Sequence, residues 1–155
     1  MTKTVLMSVK VERRKVAVTI FRSLEIEHTQ VRHLSVNVAD ATARTGAFIS
    51  WLVATYQPHL VAIYKLPSDD ADTQRFCVGS EIVSVLRYAG IPIWDIGRDE
   101  LYQYFASPPL VSSRQLREVA RRLWPNITGA SSAALLEAAA LGLFVQIKRL
   151  YGLDN

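Results

Sequence analysis

Three runs rich in Val, Ile and Thr come before the first helical pattern, and this order constrains the fold more than any other feature of the chain. Thr4–Val11 and Lys15–Phe21 read as strands, with Glu12, Arg13 and Arg14 between them. They predict a hairpin with a charged tip, although no Gly or Asn turn signature is present. Thr29–Val38 reads as a third strand, with Val31, His33, Ser35 and Asn37 on one parity and Arg32, Leu34, Val36 and Val38 on the other. Three strands in this sequence order fold naturally as an antiparallel meander.

The pattern then changes period. Asp40 is placed to cap a helix with apolar positions at Ala47, Phe48, Trp51, Leu52 and Thr55 or Tyr56, and Pro58 stops it. Leu60–Tyr64 is nearly all apolar, as expected of a central parallel strand covered on both faces. After the polar stretch Leu66–Asp72, a helix through Phe76, Val78, Ile82, Val83, Val85, Leu86 and Tyr88 ends near Gly90, and Ile91–Ile96 supplies a fifth strand. A short helix is expected over 98–106, and Pro108 and Pro109 interrupt the chain. Ser112 and Gln115 have capping-box spacing ahead of Leu116, Val119, Ala120 and Leu123, with Trp124 and Pro125 closing that helix. The last helix, Ser131–Leu150, is apolar on nearly every side except at Glu137, and basic at its end through Lys148 and Arg149.

The order β-β-β-α-β-α-β followed by helices predicts an α/β fold with a mixed central sheet and helices on both faces. It disfavours a plain dinucleotide-binding fold, because three strands precede the first helix and no glycine-rich phosphate turn exists. A thioredoxin-like fold is disfavoured by the order and by the lack of Cys-x-x-Cys. A length of 155 residues, half of them hydrophobic, suits one domain over 1–155 with a real core. Cys77 is the sole cysteine, so neither an internal disulfide nor a multi-cysteine zinc site is available. His28, His33 and His59 lack metal-ligand spacing. The apolar opening is short and broken by Lys10, and no stretch has the uncharged length of a membrane span. The expectation is therefore no membrane partner and an intracellular location, cytoplasmic or associated with nucleic acid. Eighteen basic against 14 acidic residues give a net charge of +4, compatible with a nucleic-acid partner but not diagnostic of one.

Several segments carry a resemblance to the RuvC-like Holliday-junction resolvases of the ribonuclease-H-like superfamily, across almost the whole chain. YQPHLVAIYKL resembles the helix end, proline and central strand that delivers a catalytic glutamate in that family. ADTQRFCVGSEIVSVLRYAGIPIWDI resembles its long helix and following strand, SSRQLREVARRLW its basic helix, and LLEAAALGLF its final helix. The order of these soft motifs is more persuasive than any one of them. The resemblance implies a ribonuclease-H-like fold and a metal site built from four acids, and here the sequence departs from the family. Lys10, or alternatively Ser8, matches the first-strand aspartate. Tyr64 matches the glutamate, with Lys65 just beyond, and Ala134 matches the first acid of the final helix. Glu137 alone keeps an acid, matching the second position there, and so is the one retained candidate for a catalytic role. Two-metal hydrolysis needs several oxygen ligands around cations about 3.5–4 Å apart, and a lysine ammonium repels such ions. An ion pair between Lys10 and Glu137 is expected in place of a metal cluster. Glu12, Asp69, Asp70, Asp72 and Asp95 would rebuild a metal site only under a different matching.

Three functions follow. The leading one is a non-catalytic module that associates with DNA or another nucleic acid. Arg13, Arg14 and Lys15 crowd the first hairpin, Arg114, Arg117 and Arg121 fall near one helical face with Arg122 beside it, and Lys10 and Lys65 make the vestigial cleft positive. The second is a structural assembly module or homodimer, with Trp51, Trp94, Trp124, Tyr102, Tyr104 and Phe105 as anchors. The third is a divergent endonuclease acting on branched DNA, and only this one calls for Mg²⁺ or Mn²⁺; otherwise no cofactor is expected.

Overall fold

The computed structural model describes residues 4–65, 72–105, 110 and 112–150. Its elements run β1 (Val5–Glu12), β2 (Lys15–Arg22), β3 (Glu25–His33), α1 (Val38–Tyr56), β4 (Leu60–Tyr64), α2 (Thr73–Tyr88), β5 (Ile93–Ile96), α3 (Arg98–Phe105), α4 (Ser113–Leu123) and α5 (Ser132–Leu150). The five strands form one sheet in the order β3-β2-β1-β4-β5. β1 pairs antiparallel with β2, and β2 with β3, whereas β1–β4 and β4–β5 are parallel. The expected meander and mixed sheet are thus present.

Strand alternation sends each side of the sheet to a different helix layer. Val5, Met7, Val9 and Val11 of β1 join Phe48, Ile49 and Leu52 of α1 and Val78, Ile82 and Leu86 of α2 in one core. On the opposite face Leu6, Phe21, Leu60, Ala62 and Ile96 pack with Leu101 of α3, Leu116 and Ala120 of α4, and Leu136, Leu141 and Phe144 of α5. The approach of α5 is close. A Cβ at Gly142 would run into the Phe21 ring and lie 3.1 Å from Ser8 Oγ, so only glycine lets the helix settle there.

Three expectations need correction. The third strand begins at Glu25 and ends at His33, four or five residues earlier than the apolar pattern suggests. The β2–β3 turn places Ser23 at φ 58°, a left-handed conformation that a serine does not advertise. That turn is held because Ser23 N–H donates to the Thr4 carbonyl at 2.8 Å and Gln146 Nε2 donates to the Ser23 carbonyl at 2.6 Å. The first helix is capped by Asn37, whose side chain accepts the Asp40 N–H, while Asp40 itself sits in the first turn and binds Arg44 at 3.1 Å. Trp51, Phe76, Tyr88 and Leu123 are exposed, not core. Pro108, Pro109, Asp69 and Asp70 lie outside the described residues.

Candidate functional site

Leu6, Ser8 and Lys10 of β1 share the parity that faces α5, and Lys10 puts a charge at the end of that otherwise buried row. Its Nζ lies 2.6 Å from Glu137 Oε2 and 3.4 Å from Glu12 Oε1. Glu137 stands in the second turn of α5 and is only 2% exposed. Arg117 of α4 brings a second cation to it, with Nη1 3.9 Å from Oε2. Glu137 Oε1 is buried and has no hydrogen-bond partner among the described residues. The expected Lys10–Glu137 pair is therefore present, and an exposed Glu137 is not.

Ser8, the other match for the first-strand acid, is buried under α5. Its hydroxyl donates to the Ala138 carbonyl at 2.6 Å and is hydrogen-bonded to the Thr19 hydroxyl. Ser8 thus ties strand to helix, and Lys10 is the residue that reaches the acid. Ala134 is fully buried against Ala17 and Ala138. Tyr64 ends β4 beside Lys10, with its ring 5.6 Å from Nζ. Burial holds the Tyr64 hydroxyl neutral far above the ordinary tyrosine range. Tyr102, through its proximity and its hydrogen bond, adds to this shift, as does the Glu137 charge, while Arg98 opposes it. Tyr102 in turn bonds the Ser113 hydroxyl at 3.0 Å.

Lys10, Tyr64 and Glu137 floor a cleft of about 540 Å³. Lys10, Lys65, Arg75 and Arg98 line it against Asp99, Glu100 and Glu137. Each of those carboxylates already has a cation: Arg98 stands 3.9 Å from Asp99, Lys148 2.6 Å from Glu100, and Lys10 holds Glu137. Lys65 is exposed at the rim. The cleft is cationic in balance, with one carboxylate on its floor.

A two-cation site does not fit these residues. Among the described residues, no group of three or more His, Cys, Asp or Glu is placed to hold a metal ion. The one buried carboxylate among the described residues, Glu137, is occupied by an ammonium, and a second cation is close by. The other candidate acids among the described residues are engaged or exposed away from it. Glu12 lies between Lys10 and Lys15, Asp72 caps α2 and is 3.7 Å from Arg13, and Asp95 is exposed on β5.

The remaining arginines do not line the cleft. Arg117 turns inward to Glu137, which its spacing with Arg114 and Arg121 did not reveal. Arg114 is exposed and bridges Glu118 at 3.3 Å, and Arg121 and Arg122 flank Glu118 in a shallow depression. Arg13 and Arg14 are exposed at the β1–β2 turn, whereas Lys15 is half-buried 3.7 Å from Glu12. Arg75, Arg98 and Ser113 are cleft residues that the sequence did not single out; the capping serine at 112, which fixes where α4 starts, was a local signal for Ser113 alone. Of the histidines, His59 accepts the Val5 N–H through Nδ1 at 3.0 Å, and His28 stacks on Tyr56.

No protein-family model matches the chain. No curated protein matches it either. Solved structures do. RuvC of Thermus thermophilus superposes with a TM-score of 0.80 at 13% identity, covering 96% of this chain and 97% of its own. The fold is ribonuclease-H-like. The same bacterial RuvC in complex with a Holliday junction substrate gives 0.79 at 14% identity, covering 96% of each chain. The yeast mitochondrial Holliday junction resolvase gives 0.66 at 10% identity, covering 97% of this chain and 85% of its own. At these identities the likeness is one of fold, so what the ribonuclease-H-like scaffold does here depends on its own side chains.

Proposed function

We propose that this chain is a non-catalytic RuvC-like module that associates with nucleic acid through a cationic cleft needing no divalent metal. The observation that carries this reading is the Lys10–Glu137 pair at 2.6 Å on the cleft floor. In a metal-dependent nuclease, carboxylates gather divalent cations, and the cations bring the phosphate close. Here a covalently attached ammonium takes the place of a metal ion and offsets the charge of Glu137 at the floor. Lys65 stands exposed at the rim, and Arg75 and Arg98 also line the cleft. Such groups position a phosphate without reading a base. They provide no means of activating water. Arg114, Arg121 and Arg122 on α4, and Arg13 and Arg14 at the β1–β2 turn, extend the reading to a longer backbone.

Fluorescence anisotropy with labelled four-way, duplex and single-stranded DNA over a salt series tests it. The expected result is binding that weakens steeply with salt, as counterion release requires. Preference for the four-way form would tie the interaction to the resolvase-like scaffold. Absence of binding to every form at low salt would move the assignment to protein assembly. That second reading is supported by Trp51, Phe76 and Tyr88, which are 51%, 61% and 97% exposed on α1 and α2. Sedimentation analysis would show it as a stable oligomer.

A further inference from the structure

β3 is the long open edge of the sheet. It is an end strand, and no strand pairs with its outer side among the described residues. The opposite edge strand, β5, has four residues, whereas β3 has nine. A short edge is a poor template for another strand, and a long one is a good template. The register decides which backbone groups of β3 are open. Leu34 N–H donates to the Arg14 carbonyl at 2.8 Å, and alternation from there turns the N–H and C=O of Arg32, Gln30 and His28 toward β2. Those of Thr29, Val31 and His33 point outward. The side chains along this edge complement themselves. Glu25 at its start and His33 at its end are exposed, and neither has an ion partner among the described residues. Arg32, next to His33, lies over the Phe48 ring and not against a carboxylate. An antiparallel second copy of β3 centred near Thr29 sets the acidic start of each strand beside the basic end of the other. Parallel pairing would set acid beside acid. A groove of about 580 Å³ also runs along the α5 side of this edge, walled by Leu24, Ile26 and Thr29 on one side and by Leu123, Trp124 and Ile127 on the other. Leu24 and Leu123 are 49% and 50% exposed there.

We infer that β3 is an interface for a second copy of this chain, pairing antiparallel edge to edge so that two five-stranded sheets become one of ten strands. The two-fold axis stands normal to the sheet, which keeps the α5 side of both copies on one side. Val31 of the second copy then lies over the groove, where its apolar side chain meets Leu24 and Ile26. Main-chain bonds from Thr29, Val31 and His33 supply the affinity, and the Glu25–His33 contacts, made twice by symmetry, set the direction. This surface is separate from the cleft and from the exposed aromatic residues of α1 and α2, so the inference stands apart from the nucleic-acid reading.

The test is sedimentation equilibrium of the full chain over a concentration series, without nucleic acid. The expected result is a reversible monomer–dimer equilibrium. Thr29→Pro removes an outward N–H and sets a ring on the open edge, while the bonds to β2 run through His28, Gln30 and Arg32 and remain. It is expected to be monomeric with unchanged circular dichroism. Glu25→Lys and His33→Glu are each expected to weaken the dimer about fivefold or more, since two-fold symmetry repeats each lost contact. The double variant E25K/H33E reverses the polarity of the edge and is expected to restore the dimer. That rescue belongs to antiparallel pairing of identical strands. Should Thr29→Pro fail to fold, the three charge variants decide the matter. A chain that stays monomeric up to about 1 mM would overturn the inference. So would a dimer indifferent to these substitutions, which would lie on another surface, or a double variant no tighter than its single parents.

Discussion

Lys10 and Glu137 are unequally buried, with side chains 18% and 2% exposed, so losing one is not equivalent to losing the other. Without Lys10, the carboxylate stays in a nearly closed site with only Arg117, 3.9 Å away, to compensate it. Lys10→Met is expected to cost about 3–5 kcal/mol in urea unfolding, the range for a stranded buried charge. Without Glu137, Lys10 still reaches Glu12 and water. Glu137→Ala is therefore expected to cost less, and K10M/E137M less than Lys10→Met alone. Equal costs for the two single variants would show that the pair is not the asymmetric device described. Tyr64 adds a pH dependence. Its hydroxyl is neutral when protonated, and its folded pKa is raised by burial above the ordinary value of 10.0. The stability held by its neutral form is complete below that value and is lost as pH rises beyond it, because the unfolded chain ionises first. Tyr64→Phe is expected to flatten the alkaline limb of the melting-temperature profile above about pH 10. An unchanged limb would assign the alkaline loss to other groups.

The packing of α5 on the sheet sets how far Glu137 can reach toward Lys10. Gly142 lies one turn beyond Ala138 and sits against Phe21 and Ser8. Gly142→Ala is expected to destabilise by about 1–3 kcal/mol through overpacking, read as a lower urea midpoint with unchanged slope; a neutral result would mean that α5 rides higher on the sheet. On α4 the exposed arginines act differently from Arg117. Replacing Arg114, Arg121 and Arg122 by alanine together is expected to leave stability nearly unchanged. It is also expected to reduce the salt dependence of single-strand binding by up to about 0.7 for each phosphate that these arginines neutralise. An unaltered slope would remove α4 from the interface. These elements also show what the sequence made legible. The expected Lys10–Glu137 pairing could be read because both residues fell at matched family positions. Arg117 could not be read as its neighbour, since the rotation of α4 about its axis is set by Leu116 and Ala120 packing under α5 and not by arginine spacing. The third strand was misplaced because Glu25 and Glu27 interrupt its apolar pattern and its turn carries no glycine. Apolar type alone also misplaced Trp51, Phe76 and Tyr88 in the core. The irregular pairing of β2 with β3 near Ile20 and Phe21 breaks the strict alternation on which strand parity depends.

At the scale of the whole molecule, the three-strand meander, the mixed sheet and both helix layers were legible because apolar periodicity and chain order leave few ways to cover a five-stranded mixed sheet. The scaffold does not by itself determine chemistry. The same α/β framework that can gather metal-binding acids here gathers Lys10, Tyr64 and one glutamate, with Ala134 buried nearby. On the proposed reading the cleft draws phosphate by fixed charge, so its affinity should follow ionic strength and ignore metal-specific effects. The most direct measurement is anisotropy of the tightest-binding labelled strand in EDTA, then with Mg²⁺ or Mn²⁺ added at constant ionic strength. The account predicts salt-sensitive binding in EDTA that does not strengthen when either metal is added, and no cleavage of the strand. Binding that appears only with metal, or metal-dependent cleavage abolished by Glu137→Ala, would contradict it.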